Sequence, residues 1–222
     1  MKRSEINQII DDAIVLMKKH QFFLPPWSTM TPEEWKTAGK EYDDIRGAGL
    51  GWDVTDFAKG DFEKEGLTLF TIGNGNYKNP NRLKTYCEKI MVVRENQVTP
   101  CHFHWNKMED IINRGGGTLC LQLWKANEEE ERIDDPFVIE VDGIWKQVKG
   151  GDILRLEPGQ SVCFESYIYH AFWAEGGTAL VGEVSKVNDD DGDNRFFEPL
   201  GRYPHIEEDV PKKYCLCNEY DK

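Results

Sequence analysis

The stretch HFHWNKME, residues 102–109, carries the pattern that decides the fold of this chain. Its two histidines, His102 and His104, are two positions apart, so in a β-strand both imidazoles point to the same face of the sheet. Glu109 follows after a short break, and His170 lies in a later apolar segment. Imidazole and carboxylate groups are typical ligands of divalent first-row metals. The sequence therefore predicts that His102, His104, Glu109 and His170 form a metal site inside a β-sheet.

Short apolar segments separated by turn residues surround this stretch and predict a mainly β protein. The predicted strands cover residues 67–72, 89–93, 98–105, 108–113, 118–124, 153–156, 161–164, 170–174 and 178–187. Residues 137–146 predict a hairpin with an Asp-Gly turn, and residues 114–117 predict a turn rich in glycine. We interpret the chain as one domain, 1–222, with a β-barrel over 65–187 and a C-terminal segment over 188–222 that wraps it.

The N-terminal arm, residues 1–64, is predicted to contain two helices. An apolar stripe over residues 4–19 predicts the first helix, with Ser4 as its N-cap. The second helix is predicted from Thr31 to about Tyr42. Thr31 and Glu34 match a capping box, and the proline between them suits the first turn of a helix.

Composition limits the possible partners and the compartment. The net charge of −13 disfavours binding to nucleic acid and to anionic membranes. No segment approaches the ~18 consecutive apolar residues of a transmembrane helix. The six cysteines include no CxxC pair, and this pattern is typical of reduced thiols. We therefore expect a cytoplasmic protein with no membrane or nucleic-acid partner.

The histidine-containing stretch resembles the first motif of the cupin superfamily, G-x5-H-x-H-x3,4-E-x6-G. His102, His104, Glu109 and Gly116 match it, and Asn96 stands in place of the first glycine. The second cupin motif is matched loosely, because its histidine corresponds to a later position, His170, and its final asparagine is replaced by alanine. The resemblance implies a cupin-type β-barrel, or jelly roll, that holds a metal.

Nearly the whole chain resembles the D-lyxose isomerase family within the cupins. The segments that carry this resemblance are the N-terminal helix and residues 25–27, 99–104, 107–110, 182–184, 188–190 and 193–196. It implies a metal-dependent, usually manganese-dependent, homodimeric enzyme that interconverts D-lyxose and D-xylulose through an enediolate. The family also acts on D-mannose, with D-fructose as the ketose.

Such a reaction needs a group that carries a proton between two adjacent carbons, and a carboxylate can do so. Glu183 interrupts an apolar strand and is the first candidate, although it could instead form a structural salt bridge with Arg155 or Arg195. Lys107 lies between two predicted ligands and could polarise a sugar oxygen or relay a proton, or it could be an exposed turn residue. Asp193 and Arg195 could close over the sugar hydroxyls or belong to a surface loop.

Three other functions remain open at this stage. A cupin dioxygenase would use iron or copper with the same histidines. A non-catalytic sugar-binding cupin would not need an interior carboxylate such as Glu183. A sugar-phosphate isomerase would need a cluster of basic residues near the barrel mouth, and none is evident in the sequence.

Overall fold

The computed structural model describes residues 1–79, 81–190 and 192–220. Within these ranges, twelve strands form one sheet, and every pair of these strands is antiparallel. The prediction of a mainly β protein with N-terminal helices is therefore confirmed. No helix in the described ranges has the length and apolar character needed to cross a membrane.

The helices and strands have the following bounds. The helices are α1 (Arg3–Lys19), α2 (Pro32–Thr37) and α3 (Asp43–Gly47), with 3-10 turns at Pro26–Thr29 and Lys40–Tyr42. The strands are β1 (Gly51–Thr55), β2 (Leu67–Gly73), β3 (Tyr86–Val93), β4 (Thr99–Phe103), β5 (Glu109–Ala126), β6 (Arg132–Ile133), β7 (Pro136–Val141), β8 (Ile144–Lys149), β9 (Ile153–Leu156), β10 (Ser161–Phe164), β11 (Ile168–Lys186) and β12 (Arg195–Phe196).

Both helices predicted in the N-terminal arm exist, but with different ends. Helix α1 begins at Arg3 with Lys2 at the N-cap position, so Ser4 lies inside the helix and does not cap it. The hydroxyl group of Ser4 donates to Asp209 at 2.6 Å instead. The capping box of α2 is confirmed, since Thr31 Oγ1 accepts the amide of Glu34 at 3.2 Å. Helix α2 ends at Thr37 because the backbone becomes extended at the following residues.

The sheet is built around its two longest strands, β5 and β11, which pair along most of their length. The order of neighbouring strands is β1-β2-β3-β11-β5-β10-β7-β8, and β4 lies between β11 and β12. Strand β1 was not predicted. The hairpin formed by β7 and β8 has the predicted turn, with both Asp142 and Gly143 at positive φ.

The predicted turn at residues 114–117 is wrong, because β5 runs through it without a break. Gly115 and Gly116 have φ values of +146° and +94°, and the pairing with β11 shifts register opposite them. This geometry is a β-bulge, which bends a strand without ending it. A Cβ atom at Gly116 would lie 2.1 Å from the carbonyl oxygen of Thr178. Only glycine fits there, which explains the last glycine of the motif in physical terms.

Two apolar clusters cover the two faces of the sheet. Successive residues of β11 point to opposite faces, so Val181 belongs to the inner cluster and Leu180 to the outer one. Helix α1 covers the outer cluster with its own apolar stripe. The buried Arg3 joins this helix to the C-terminal segment through ion pairs with Glu208 and Glu219. Helix α1 therefore covers only the outer face, and the inner face packs its own apolar cluster.

Candidate metal centre and active site

Three histidines meet on the inner face of the sheet. His102 lies on β4 and pairs directly with His170 on β11, while His104 follows the end of β4. Their ligand nitrogens all lie within 4.8 Å of one another. The structure thus brings these three side chains together, as predicted.

The backbone fixes the orientation of all three imidazole rings. Each Nδ1 atom contacts a main-chain carbonyl oxygen: that of Pro100 at 2.8 Å for His102, that of Ile168 at 3.0 Å for His170, and that of Asp193 for His104. A carbonyl oxygen can only accept, so Nδ1 carries the hydrogen and Nε2 of a neutral ring presents its lone pair. This arrangement is the one by which proteins orient histidines for a metal.

Glu109, the first residue of β5, completes the group. Its Oε1 lies 3.4 Å from Nε2 of His104 and 3.2 Å from Nε2 of His170. Among the described residues, His104 Nε2 and Glu109 Oε1 are buried without a hydrogen-bond partner. Two lone pairs and a carboxylate oxygen that face one another at this distance repel unless a cation lies between them. The four side chains therefore fit a divalent metal ion.

Burial and neighbouring charges set the protonation states that metal binding requires. Burial and the neighbouring histidines lower the pKa of His102 well below its usual value. Burial also lowers the pKa of His104, with Lys107 acting in the same direction. Burial would raise the pKa of Glu109, but Lys107, His104 and His170 together outweigh it and hold this pKa well below its usual value. Neutral imidazoles and an ionised carboxylate are the forms that bind metals.

A second buried cluster lies beside these ligands and is centred on Glu183. Lys107 Nζ lies 2.9 Å from Glu183 Oε1 and 2.7 Å from Glu109 Oε2. Lys89, which faces Glu183 across β3 and β11, places its Nζ 3.3 Å from the same Oε1 atom. Asn188 Oδ1 accepts from Lys89 at 2.8 Å and from Lys107 at 3.4 Å. The two lysines thus link both carboxylates into one network.

The contacts of Glu183 and Lys107 bear on the alternatives left open for them. Glu183 does form buried salt bridges, but with Lys107 and Lys89. Neither Arg155 nor Arg195 pairs with Glu183, since they contact Glu175 and Glu130 respectively. Lys107 is not a solvent-exposed turn residue, because only 4% of it is exposed.

The charges in this network favour one assignment of proton donor and acceptor. Burial raises the pKa of Glu183, but Lys107 and Lys89 outweigh it, so this pKa is lowered rather than raised as burial alone predicts. Burial lowers the pKa of Lys107, yet the two carboxylates raise it above its usual value. Glu183 is therefore an ionised carboxylate that can accept a proton, and Lys107 is an ammonium ion that can only donate.

Asp193 and Arg195, which could close over the sugar hydroxyls or belong to a surface loop, have different surroundings. The carboxylate of Asp193 accepts the amides of Asn106 and Lys107, each at 2.9 Å, and its carbonyl oxygen holds His104. Asp193 thus fixes the loop that carries Lys107. Arg195 points instead to Glu130, with Nε at 2.8 Å from Oε2, and does not line the cavity at the metal site.

The candidate metal site faces an inner cavity of about 50 Å³, next to a larger cavity of about 920 Å³. Asp190 lines both cavities. The inner wall also includes Thr99, Lys89 and Arg202, which the sequence did not single out. Lys89 is the first residue of a predicted apolar strand. A charged residue at this position could have indicated a buried ion pair. Arg202 lies in a segment without periodicity, so no local pattern pointed to it.

Comparison with known proteins agrees with this geometry. The family model described as D-lyxose isomerase matches residues 1–220. The chain is 48% identical to a D-lyxose/D-mannose isomerase of Escherichia coli O157:H7, over 99% of this chain and 98% of that protein. It is 45% identical to a D-lyxose/D-mannose isomerase of Serratia proteamaculans, over 99% and 98% of the two chains.

Solved structures with low sequence identity share the fold. An L-ribose isomerase of Acinetobacter sp. DL28 in complex with L-ribose matches with a TM-score of 0.64 at 14% identity, over 93% of this chain and 98% of that one. An L-ribose isomerase of Cellulomonas parahominis with L-ribose matches with a TM-score of 0.61 at 14% identity, with the same coverage. The cupin-type fold is thereby confirmed. Together with the family match, these findings show that the chain belongs to the D-lyxose isomerase family.

Proposed function

We propose that this protein is a metal-dependent isomerase that interconverts D-lyxose with D-xylulose and D-mannose with D-fructose. One observation carries the proposal: an ionised carboxylate, Glu183, is buried between two ammonium ions beside a group of unpaired metal-ligand atoms. The names of the relatives at 45–48% identity support the choice of sugars.

The cation of the proposed reaction would be held by His102, His104, His170 and Glu109. A divalent ion at this position, which we propose to be Mn²⁺, would supply Lewis acidity that polarises the sugar carbonyl. Three imidazoles and one carboxylate suit several first-row metals, so manganese rests on the family resemblance.

Glu183 is proposed to carry the proton between C2 and C1 of the open-chain sugar. A carboxylate has two oxygens, which can reach two adjacent carbons without a large movement. Its Oε1 is held by Lys107, Lys89 and the hydroxyl group of Ser185. These contacts fix its position and keep it ionised.

Lys107 is proposed to bind a sugar oxygen and to stabilise the negative charge that develops there. Its raised pKa keeps it protonated, so it serves as a donor rather than a base. Asp193 is proposed as a positioning residue, because it holds both the amide of Lys107 and the ring of His104. For Arg195 we propose a role at the protein surface, in its pair with Glu130.

The charge balance of the inner cavity favours a neutral sugar over a sugar phosphate. Each of its three cations has a carboxylate partner: Lys107 contacts Glu109 and Glu183, Lys89 contacts Glu183, and Arg202 contacts Asp53 and Asp190. Because this positive charge is already neutralised, little of it is left to bind a phosphate group.

The sugar is proposed to arrive from the larger cavity. The inner cavity of about 50 Å³ is smaller than typical ligand pockets of ~300–1,000 Å³. Asp190 separates it from the cavity of about 920 Å³ and lines both. Because Asp190 lines both cavities, the sugar is proposed to pass this residue on its way to the inner cavity.

We further propose that the chain acts as one cytoplasmic domain and forms a homodimer. The homodimer rests on the family resemblance and on strand β8, which lies at the end of the strand order. This strand exposes 62% of Ile144 and 65% of Trp145. An exposed edge strand with apolar side chains is a surface that a second copy could cover.

A sugar panel tests the proposal. Protein treated with a chelator and reloaded with Mn²⁺ is incubated with free aldopentoses, free aldohexoses and their phosphates, and ketose formation is measured. We expect D-lyxose and D-mannose to react, and the phosphates to react poorly. Oxygen consumption is recorded in parallel, because a dioxygenase would consume O₂. Absence of ketose from every sugar would refute the proposed function.

A further inference from the structure

In the described ranges, all buried side-chain nitrogen and oxygen atoms that lack a hydrogen-bond partner belong to residues that line the inner cavity. They are Thr99 Oγ1, His104 Nε2, Glu109 Oε1 and Arg202 Nη1. A buried polar atom without a partner costs ~1–3 kcal/mol, so such atoms are rare unless a ligand pairs with them. A bound metal ion would account for the atoms of His104 and Glu109. The other two atoms need another partner.

Arg202 is fixed by two carboxylates, which leave one of its nitrogens free. Its Nη2 atom contacts Asp53 and lies 3.4 Å from Asp190. The side chain is 16% exposed, while Nη1 itself is buried and unpaired. A guanidinium group has only donors, so Nη1 can pair only with an acceptor. Because Asp53 and Asp190 already balance the charge, a neutral oxygen suits this position better than an anion.

Thr99 offers a second unpaired group on the same cavity wall. It is the first residue of β4, the strand that carries His102, and only 2% of it is exposed. Its hydroxyl group can both donate and accept, which suits another hydroxyl group. A donor and a donor–acceptor thus line the same cavity as the proposed metal ligands.

We propose that Arg202 and Thr99 bind hydroxyl groups of the sugar beyond C2 and so contribute to the choice of substrate. This inference rests on the proposed function, because the metal site and Glu183 would take the oxygens and hydrogens of C1 and C2. The two residues would then contact the part of the chain in which aldoses of one length differ from each other, apart from pairs that differ at C2 alone.

Binding of an unreactive sugar alcohol tests the contact without relying on turnover. D-arabitol, the alcohol formed by reduction of D-lyxose at C1, is titrated into manganese-loaded protein by calorimetry. The variant Thr99→Val removes the hydroxyl group and keeps the shape, and since that hydroxyl has no internal partner we expect an unchanged fold. We expect Kd to rise about tenfold, the effect of losing one hydrogen bond. Thr118→Val, whose hydroxyl contacts Glu157 at the surface, is the control and should leave Kd unchanged.

A two-carbon substrate separates sugar recognition from chemistry. Glycolaldehyde has only C1 and C2, and exchange of its C2 hydrogens with D₂O is followed by NMR. We expect Thr99→Val and Arg202→Lys to lower kcat/KM for D-lyxose about tenfold or more, mainly through KM. Exchange with glycolaldehyde should stay within about twofold of wild type, with the metal content unchanged. Thr99→Val decides the matter if Arg202→Lys does not fold.

The outcomes distinguish this inference from the proposed function. If wild type isomerises D-lyxose and Thr99→Val matches it in both KM and Kd, the inference is overturned and the function stands. If both variants lose glycolaldehyde exchange as strongly as D-lyxose turnover, the residues serve the chemistry and the inference is also overturned. If wild type binds D-arabitol but forms no ketose, the function fails and the Kd values alone decide the inference. If wild type does neither, both fail.

Discussion

Replacing Glu183 with glutamine tests the proposed proton carrier. Glutamine has nearly the same shape but cannot accept a proton under these conditions. Removal of a positioned general base typically lowers kcat by ~10²–10⁴-fold, or about 3–5 kcal/mol in the activation free energy. We predict a loss in this range for D-lyxose turnover.

The structure indicates that the Glu183→Gln variant should still fold. The change removes one carboxylate between two ammonium ions, but each lysine keeps a partner. Lys107 retains Glu109 at 2.7 Å, and Lys89 retains Asn188 at 2.8 Å. We therefore expect the free energy of unfolding to fall by about 1–3 kcal/mol, less than the 3–5 kcal/mol typical of a broken buried pair.

The assay is incorporation of deuterium at C2 of D-lyxose in D₂O, together with ketose formation and bound metal per chain. The variant should keep its metal, because all four proposed ligands remain, and should lose both exchange and turnover. Turnover within about threefold of wild type would eliminate Glu183 as the proton carrier.

The other predictions concern the metal, the ammonium group and the bulge. His102→Ala should abolish both bound metal and activity, and full activity without metal would contradict the site. Lys107→Gln should lower kcat by about 100-fold and move the acidic limb of the pH–rate profile to higher pH, because Lys107 lowers the pKa of Glu183. An unmoved limb would argue against this coupling. Gly116→Ala should lower the free energy of unfolding by about 3 kcal/mol or more, measured in urea, because its Cβ would meet Thr178. The control Gly176→Ala, also at positive φ but with open space, should cost only about 1 kcal/mol.

Local patterns were sufficient to predict most short strands and the common face of His102 and His104. The alternation of His102 and His104 placed both rings on one face, and the Asp142-Gly143 pair identified the hairpin. These features depend on neighbouring residues alone. The prediction of a turn at residues 114–117 also relied on neighbouring residues alone. It failed because glycine occurs both in turns and in bulges. Only the long pairing with β11 distinguishes the two.

The network around Glu183 could not be predicted, because it depends on which strands are neighbours. Both Lys89 and Glu183 interrupt apolar strands, but only the pairing of β3 with β11 places them opposite each other. Arg202 lies in the C-terminal segment, and its position depends on contacts with Asp53, which is 149 residues away in sequence. Ion pairs between residues far apart in sequence leave no periodic pattern in the sequence. The proposed metal ligands were therefore easier to predict than the ion pairs around them.

The most direct test of this account is the transition-metal content of protein that has been stripped, reloaded with Mn²⁺ and freed of excess ion. Facing lone pairs from His104, His170 and Glu109 should retain about one ion per chain, measured by elemental analysis, and Glu109→Gln should retain much less. Wild-type protein that holds no stoichiometric ion after this treatment would contradict the account.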